Sequence, residues 1–131
     1  MSEETFYDRV GGRPTFEKLV REFYRGVAGD PPLRAMYPEE DLGPAEERLR
    51  LFLEQYWGGP KTYGETRGHP RLRMRHAPFR VTPTQAERWV RHMSNACDTL
   101  GLSPDDDHQL REYLVRAAQF MINAPEDADA G

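Results

Sequence analysis

Cysteine is almost missing from this chain. Cys97 stands alone, so no internal disulfide can form, and a reducing cytoplasm is the expected location. Long apolar runs are missing too: none approaches the roughly 18 residues that a membrane helix needs, so no membrane span is expected. The chain does not open on a basic and then apolar segment, and no signal peptide is expected. Apolar residues make up only 37%, whereas 31% are charged. Cations do not dominate. The 18 Lys and Arg face 22 Asp and Glu, a net charge of −4, which argues against a nucleic-acid binder. Internal repeats, low-complexity linkers and period-two alternation long enough for a strand are also missing.

What remains is helix, and the expected class is all-α. The 131 residues suit one domain over 1–124, followed by a disordered acidic tail over 125–131. A short element over 6–10 stops at Gly11-Gly12. A helix over 14–28 follows, with Phe16, Leu19, Val20, Phe23 and Val27 on one face. Asp30-Pro31-Pro32 ends it, and a turn carries Leu33, Met36 and Tyr37. The spacing predicts a helix over 44–57 with Ala45, Leu49, Phe52, Leu53 and Tyr56 inward, then a loop over 58–68 and a short helix over 70–76. Thr82-Pro83-Thr84-Gln85 reads as a capping box that opens a helix running to Gly101. Its face carries Ala86, Trp89, Val90, Met93, Cys97 and Leu100, with Cys97 as core. Ser103-Pro104-Asp105 starts the last helix, with Leu110, Leu114, Ala117, Ala118 and Met121 inward.

Four histidines offer candidate ligands, and helical phase separates them. His92 falls opposite Trp89 and Met93 and is expected in solvent. His108, in a first turn between Asp107 and Gln109, also reads as surface. His69 precedes Pro70 and reads as a loop or supporting residue. His76 ends a short helix, with Leu72 one turn before it and Phe79 just after. On the residues alone, a half-buried helix-terminal histidine is the simpler reading. Zinc fits poorly, because no second His or Cys stands at a usual spacing. A single axial ligand to haem stays open, because a porphyrin supplies the other four nitrogens. Arg73 and Arg75 could then meet the propionates.

An ordered set of segments runs through the chain. It comprises Phe6-Tyr7, Val10-Gly11-Gly12, Phe23-Tyr24, Tyr37-Pro38, Ala45-Glu46-Glu47-Arg48-Leu49 and Gln55-Tyr56-Trp57-Gly58-Gly59-Pro60. The longest piece runs from Arg67-Gly68-His69-Pro70 through Arg75-His76-Ala77-Pro78-Phe79, and Trp89 follows. Together they resemble the group II truncated haemoglobins, bacterial globins of the oxygen-binding type, over about residues 4–123.

The resemblance implies a two-over-two helical sandwich around haem b, with His76 as the only protein ligand to the iron. It implies Tyr24, Tyr37 and Trp89 as the polar groups of the ligand pocket, with Ala45 where many globins carry a distal histidine. A plain core role would explain these aromatics equally well, but a buried Tyr24 hydroxyl without a partner costs about 1–3 kcal/mol, which favours a ligand-facing role. Leu49 and Phe52 are expected on the distal haem face, with Leu72, Phe79 and Met93 around the remainder. Arg48, Tyr63 and Arg75 are candidates for the propionates, although each also reads as a solvated charge or loop aromatic.

The function so implied is reversible binding of dioxygen and other small ligands: carbon monoxide, nitric oxide, and small anions on ferric iron. A redox enzyme is the alternative, with peroxidase-like, nitric oxide or sulfide chemistry, and it would call for a separate reductase as partner. A haem-free helical interaction module would explain the amphipathic helices but not the residues around His76. A monomer and a homodimer are both compatible with the sequence.

Overall fold

Thr5 opens the first helix by accepting the Asp8 N–H at 3.1 Å, while the Asp8 carboxylate accepts the Thr5 N–H, a reciprocal cap. The computed structural model describes residues 4–71, 74, 76 and 80–126. Its helices are α1 (Phe6–Arg9), α2 (Arg13–Ala28), α3 (Pro31–Arg34), α4 (Gly43–Tyr56), α5 (Thr62–Arg67), α6 (Pro83–Asp98) and α7 (Pro104–Met121). Met74 and His76 are also helical. Leu72, Arg73, Arg75 and Phe79 lie outside the described residues.

The architecture is all-α, two helices over two. The pair α2 and α4 packs on the pair α6 and α7, with the broadest contact between α2 and α6. The apolar stripes explain this. Phe16, Leu19, Val20, Phe23 and Val27 of α2 are buried, and so are Met93, Ala96 and Cys97 of α6 and Leu110, Leu114 and Ala118 of α7. Burial pushes the Cys97 thiol up to about 12, so it behaves as a core residue. Prolines in the first turns of α2, α6 and α7 start these helices without wasting an N–H. Thr82 caps α6 by accepting the Gln85 N–H, and Ser103 does the same for Asp106 in α7.

Four expectations change. The segment 58–68 is not all loop, because it contains α5. Tyr56 is 51% exposed and stacks on Tyr113, with ring centroids 4.0 Å apart. Glu54 takes the inward place instead, 2% exposed and accepting a hydrogen bond from Arg50 at 2.8 Å. Pro125 and Glu126 do not begin a free tail. The Pro125 carbonyl accepts from Arg80, and the Glu126 carboxylate accepts the Thr84 N–H at the start of α6, where the helix dipole favours an anion. Residues 127–131 lie outside the described set.

His92 is the fourth correction. Its ring is mostly buried, and Nε2 meets the Asp30 carboxylate at 2.8 Å. Arg88, one turn earlier on α6, donates to the other Asp30 oxygen at 2.9 Å. These bonds tie α6 to the corner where α2 gives way to α3. The imidazole first and Arg88 after it hold the Asp30 carboxyl below its ordinary range. Helical phase pointed His92 away from the apolar face, but it could not show that α2 carries a glycine opposite. A Cβ on Gly26 would stand 2.4 Å from His92 Nδ1.

Gly26 yields a test of that packing. In an exposed helix, Gly→Ala stabilises by about 0.5–1 kcal/mol. Here Gly26→Ala should instead destabilise, by about 1–3 kcal/mol, because the imidazole must leave its place. Urea unfolding reads the sign directly, and a stabilised variant would show that His92 does not need the space.

Candidate functional site

One cavity among the described residues brings polar side chains against largely apolar walls. Its volume is about 520 Å³, inside the range of roughly 300–1,000 Å³ usual for cofactor pockets. Tyr24 of α2 and Tyr37, just past α3, reach it from one side of the fold. Ala45, Leu49, Phe52 and Leu53 of α4 and Tyr63 of α5 also line it. Trp89 and Gln85 of α6 and Leu114, Ala118 and Met121 of α7 contribute further wall, and His76 supplies the one imidazole on it.

The tyrosines and Trp89 form an aromatic cluster. Tyr24 is 7% exposed and meets Tyr37 edge to face, centroids 5.6 Å apart. Phe23 packs edge-on to both Tyr24 and Trp89. Burial raises the Tyr24 hydroxyl well above its ordinary value, with Tyr37 adding to the rise. Burial also raises Tyr37, opposed by hydrogen bonding from the Tyr24 hydroxyl and the Trp89 side chain. Both tyrosines are neutral donors at ordinary pH.

A residue that sequence reasoning missed holds Tyr37 in place. Arg34, at the end of α3, donates to the Tyr37 carbonyl at 3.1 Å, the Glu39 carbonyl at 2.7 Å and the Glu40 carbonyl at 2.9 Å. One guanidinium thus fixes the loop that carries Tyr37. Nothing in the local pattern marks it, because its partners are backbone oxygens.

Other candidates fall as follows. Arg48 lines the cavity and is paired with Glu39 at 2.6 Å. Tyr63 is buried edge-on to Phe52, and Arg67 lies 5.9 Å over its ring and lines the cavity as well. Met93 is 1% exposed in the core and is not part of the cavity wall. Leu72, Arg75 and Phe79 are outside the described residues. His69, exposed, accepts the Arg71 N–H, and His108 pairs with Glu112 on the surface.

Gln85 also escaped the sequence reading as a site residue. Its Oε1 is buried on the cavity wall without a hydrogen-bond partner among the described residues. A buried acceptor left this way is costly, and it marks a space the chain does not fill by itself. An apolar cavity with one imidazole, cations at Arg48 and Arg67 and a phenol–indole cluster suits a flat, mostly apolar group that carries a metal and anionic arms. Iron porphyrin meets that description, and helical proteins that enclose it by one histidine are the globins.

Comparison with known proteins gives the same answer. The family model "Bacterial-like globin" matches residues 5–123. A thermostable hemoglobin from the actinobacterium Thermobifida fusca is 64% identical, with a TM-score of 0.91 over 93% of this chain and 99% of that one. A truncated oxygen-avid haemoglobin from Bacillus subtilis is 37% identical, with a TM-score of 0.85 over 91% of this chain and 99% of that one. The group 2 truncated hemoglobin YjbI of Bacillus subtilis is 38% identical over 123 residues, 94% of this chain and 92% of that protein. The chain belongs to the bacterial-like globin family, resembles its truncated group 2 members, and is a haem protein that binds small ligands. No helix among the described residues is long and apolar enough to cross a membrane.

The buried Tyr24 hydroxyl sets a pH dependence. Its raised pKa means that the folded state keeps a proton which the unfolded state gives up above about pH 10. Stability from this group is therefore complete below that pH and is lost as pH rises beyond it. Wild-type protein should lose more stability than Tyr24→Phe on going from neutral to alkaline pH. Urea midpoints at the two pH values check this, and equal losses would mean that Tyr24 is not buried as described.

Proposed function

We propose that the chain binds dioxygen and other diatomic ligands reversibly, on haem iron held by His76, and that Tyr37 retains the ligand with Tyr24 and Trp89 behind it. The observation that supports this most is the cluster itself, because three hydrogen-bond donors line one cavity together with a single imidazole among the described residues. When bound, haem would supply an iron able to take a small ligand, and His76 is the residue that would hold it.

The residues divide the work. His76 supplies the imidazole. Leu49, Phe52 and Leu114 give the apolar walls that exclude water and strengthen any polar contact inside. Arg48, Arg67 and Tyr63 line the cavity and would meet anionic arms of the cofactor, with Arg75 as a further candidate on sequence grounds. Ala45, 3% exposed, offers no donor, so retention falls to the phenols and the indole.

Tyr24 and Trp89 both act on the Tyr37 hydroxyl, opposing the rise that burial causes, which supports an order among these donors. In that order Tyr37 would accept from Tyr24 and Trp89 and keep its own O–H to give, and accepting makes it a stronger donor. Tyr37 is thus the terminal donor to a ligand that carries partial negative charge, and Tyr24 and Trp89 act largely through it. Slow release follows, which suits oxygen chemistry or sensing better than bulk transport. The Bacillus subtilis relative described as oxygen-avid is consistent with such retention.

The test begins with absorption spectra of the oxidised, reduced and oxygenated protein, where a Soret band is required. Oxygen dissociation is then followed in single variants. Tyr37→Phe should speed release by about one to two decades, the worth of a bond to a partly charged acceptor. Tyr24→Phe and Trp89→Phe should each speed it less, and neither should add fully to Tyr37→Phe, because they act through one hydroxyl. Unchanged dissociation in Tyr37→Phe would overturn this order of donors.

A further inference from the structure

The end of α7 leads into a segment that the ligand chemistry does not use. Ile122 leaves helical geometry, with φ −59° and ψ 123°, and Asn123 then lies beside the stretch that carries His76. The Asn123 side-chain oxygen accepts the Val81 N–H at 2.8 Å, and its own N–H donates to the Val81 carbonyl at 2.9 Å. The side-chain nitrogen donates to the His76 carbonyl at 3.2 Å. One planar amide therefore holds the chain both at His76 and five residues later. The next residues extend the attachment, through Arg80 to the Pro125 carbonyl and the Thr84 N–H to Glu126.

Asn123 itself is exposed, so apolar packing does not explain its place. Its side chain matches what the site offers: a carboxamide presents one acceptor and two donors in a fixed plane, and here an N–H and a C=O from different residues meet it. The His76 carbonyl belongs to a residue in helical geometry and accepts this side-chain bond from outside its own stretch. An imidazole follows its backbone through only two torsions. Fixing the His76 peptide therefore restricts where the ring can stand, and groups that orient a metal-bound histidine tune the bond it makes.

We propose that Asn123 is a positioning residue for His76, and that its side-chain amide clamps the stretch that carries His76 so that the strength of the iron–histidine bond depends on this one side chain. This rests on the reading of His76 as the axial ligand. The clamp has two functions in one side chain, and they can be separated. Asn123→Asp keeps an oxygen for the Val81 N–H but loses the donor to His76. Asn123→Ala loses both. Glu126→Ala removes only the contact at Thr84 and serves as a structural control.

The experiment uses the haem-loaded full chain. It compares the iron–histidine stretching band of the ferrous, ligand-free protein by resonance Raman, and haem release to excess apomyoglobin. Asn123→Asp and Asn123→Ala should both shift or broaden the band and speed haem release by about two- to tenfold, the worth of one hydrogen bond. Glu126→Ala should lower the urea midpoint while leaving the band in place. A wild-type band and wild-type haem release in Asn123→Asp would overturn the proposal, and so would an equal band shift in Glu126→Ala. Wild-type protein with a Soret band but no iron–histidine band would overturn the His76 reading instead, and a shift confined to the variants separates the two failures.

Discussion

A chain of 131 residues that must keep a cavity of about 520 Å³ open is under one dominant constraint: its helices cannot close on each other. A helical domain of this size gains its stability by bringing apolar stripes together. Here part of each stripe is spent on solid core and part on a wall. Phe16, Leu19, Val27, Met93 and Cys97 make the solid part. Leu49, Phe52 and Leu114 face the space. A cofactor that fills it joins the fold as much as the site does, so binding and folding are coupled.

That constraint explains the unusual fastenings around the cavity. Besides the apolar core that several lining residues join, the segments around it are held by polar contacts. Asp30 binds Arg88 and His92 and so fixes α6, which carries Trp89, to the corner before Tyr37. Arg34 holds the Tyr37 loop by three carbonyls. Asn123 holds the stretch with His76. Trp89, Tyr37 and His76 thus each sit on a segment with such a support, and rigid support is what gives a small donor cluster its directional effect.

The same division decides what could be read from the sequence. The long helices α2, α6 and α7 were legible because an apolar stripe repeats along each of them and their starts carry Pro, Thr or Ser. The resemblance placed His76, Tyr24, Tyr37, Trp89 and Ala45, and all five line the cavity. What escaped depends on contacts between distant residues. The helix α5 has no stripe in Thr62–Arg67, and an N–H of its first turn, that of Gly64, is satisfied at 2.7 Å by the Gln55 side chain from α4. His92 looked solvated because nothing local shows that Gly26 leaves room for it. The spacing puts Tyr56 inward with Leu53, yet the end of α4 turns Glu54 to the interior beside Leu53 instead of Tyr56. The hold of Glu126 on α6 has no sequence signal, since the partners are 42 residues apart.

The account stands on one bond, from His76 to the iron. It is tested most directly by replacing His76 with glycine and recording the ferrous spectrum with and without added imidazole. The variant should hold haem weakly and lose the spectrum of an imidazole-ligated iron, and free imidazole should restore it by entering the space the side chain left. A His76→Gly protein that keeps the wild-type ferrous spectrum without added imidazole would contradict the assignment and, with it, the function built on the cavity.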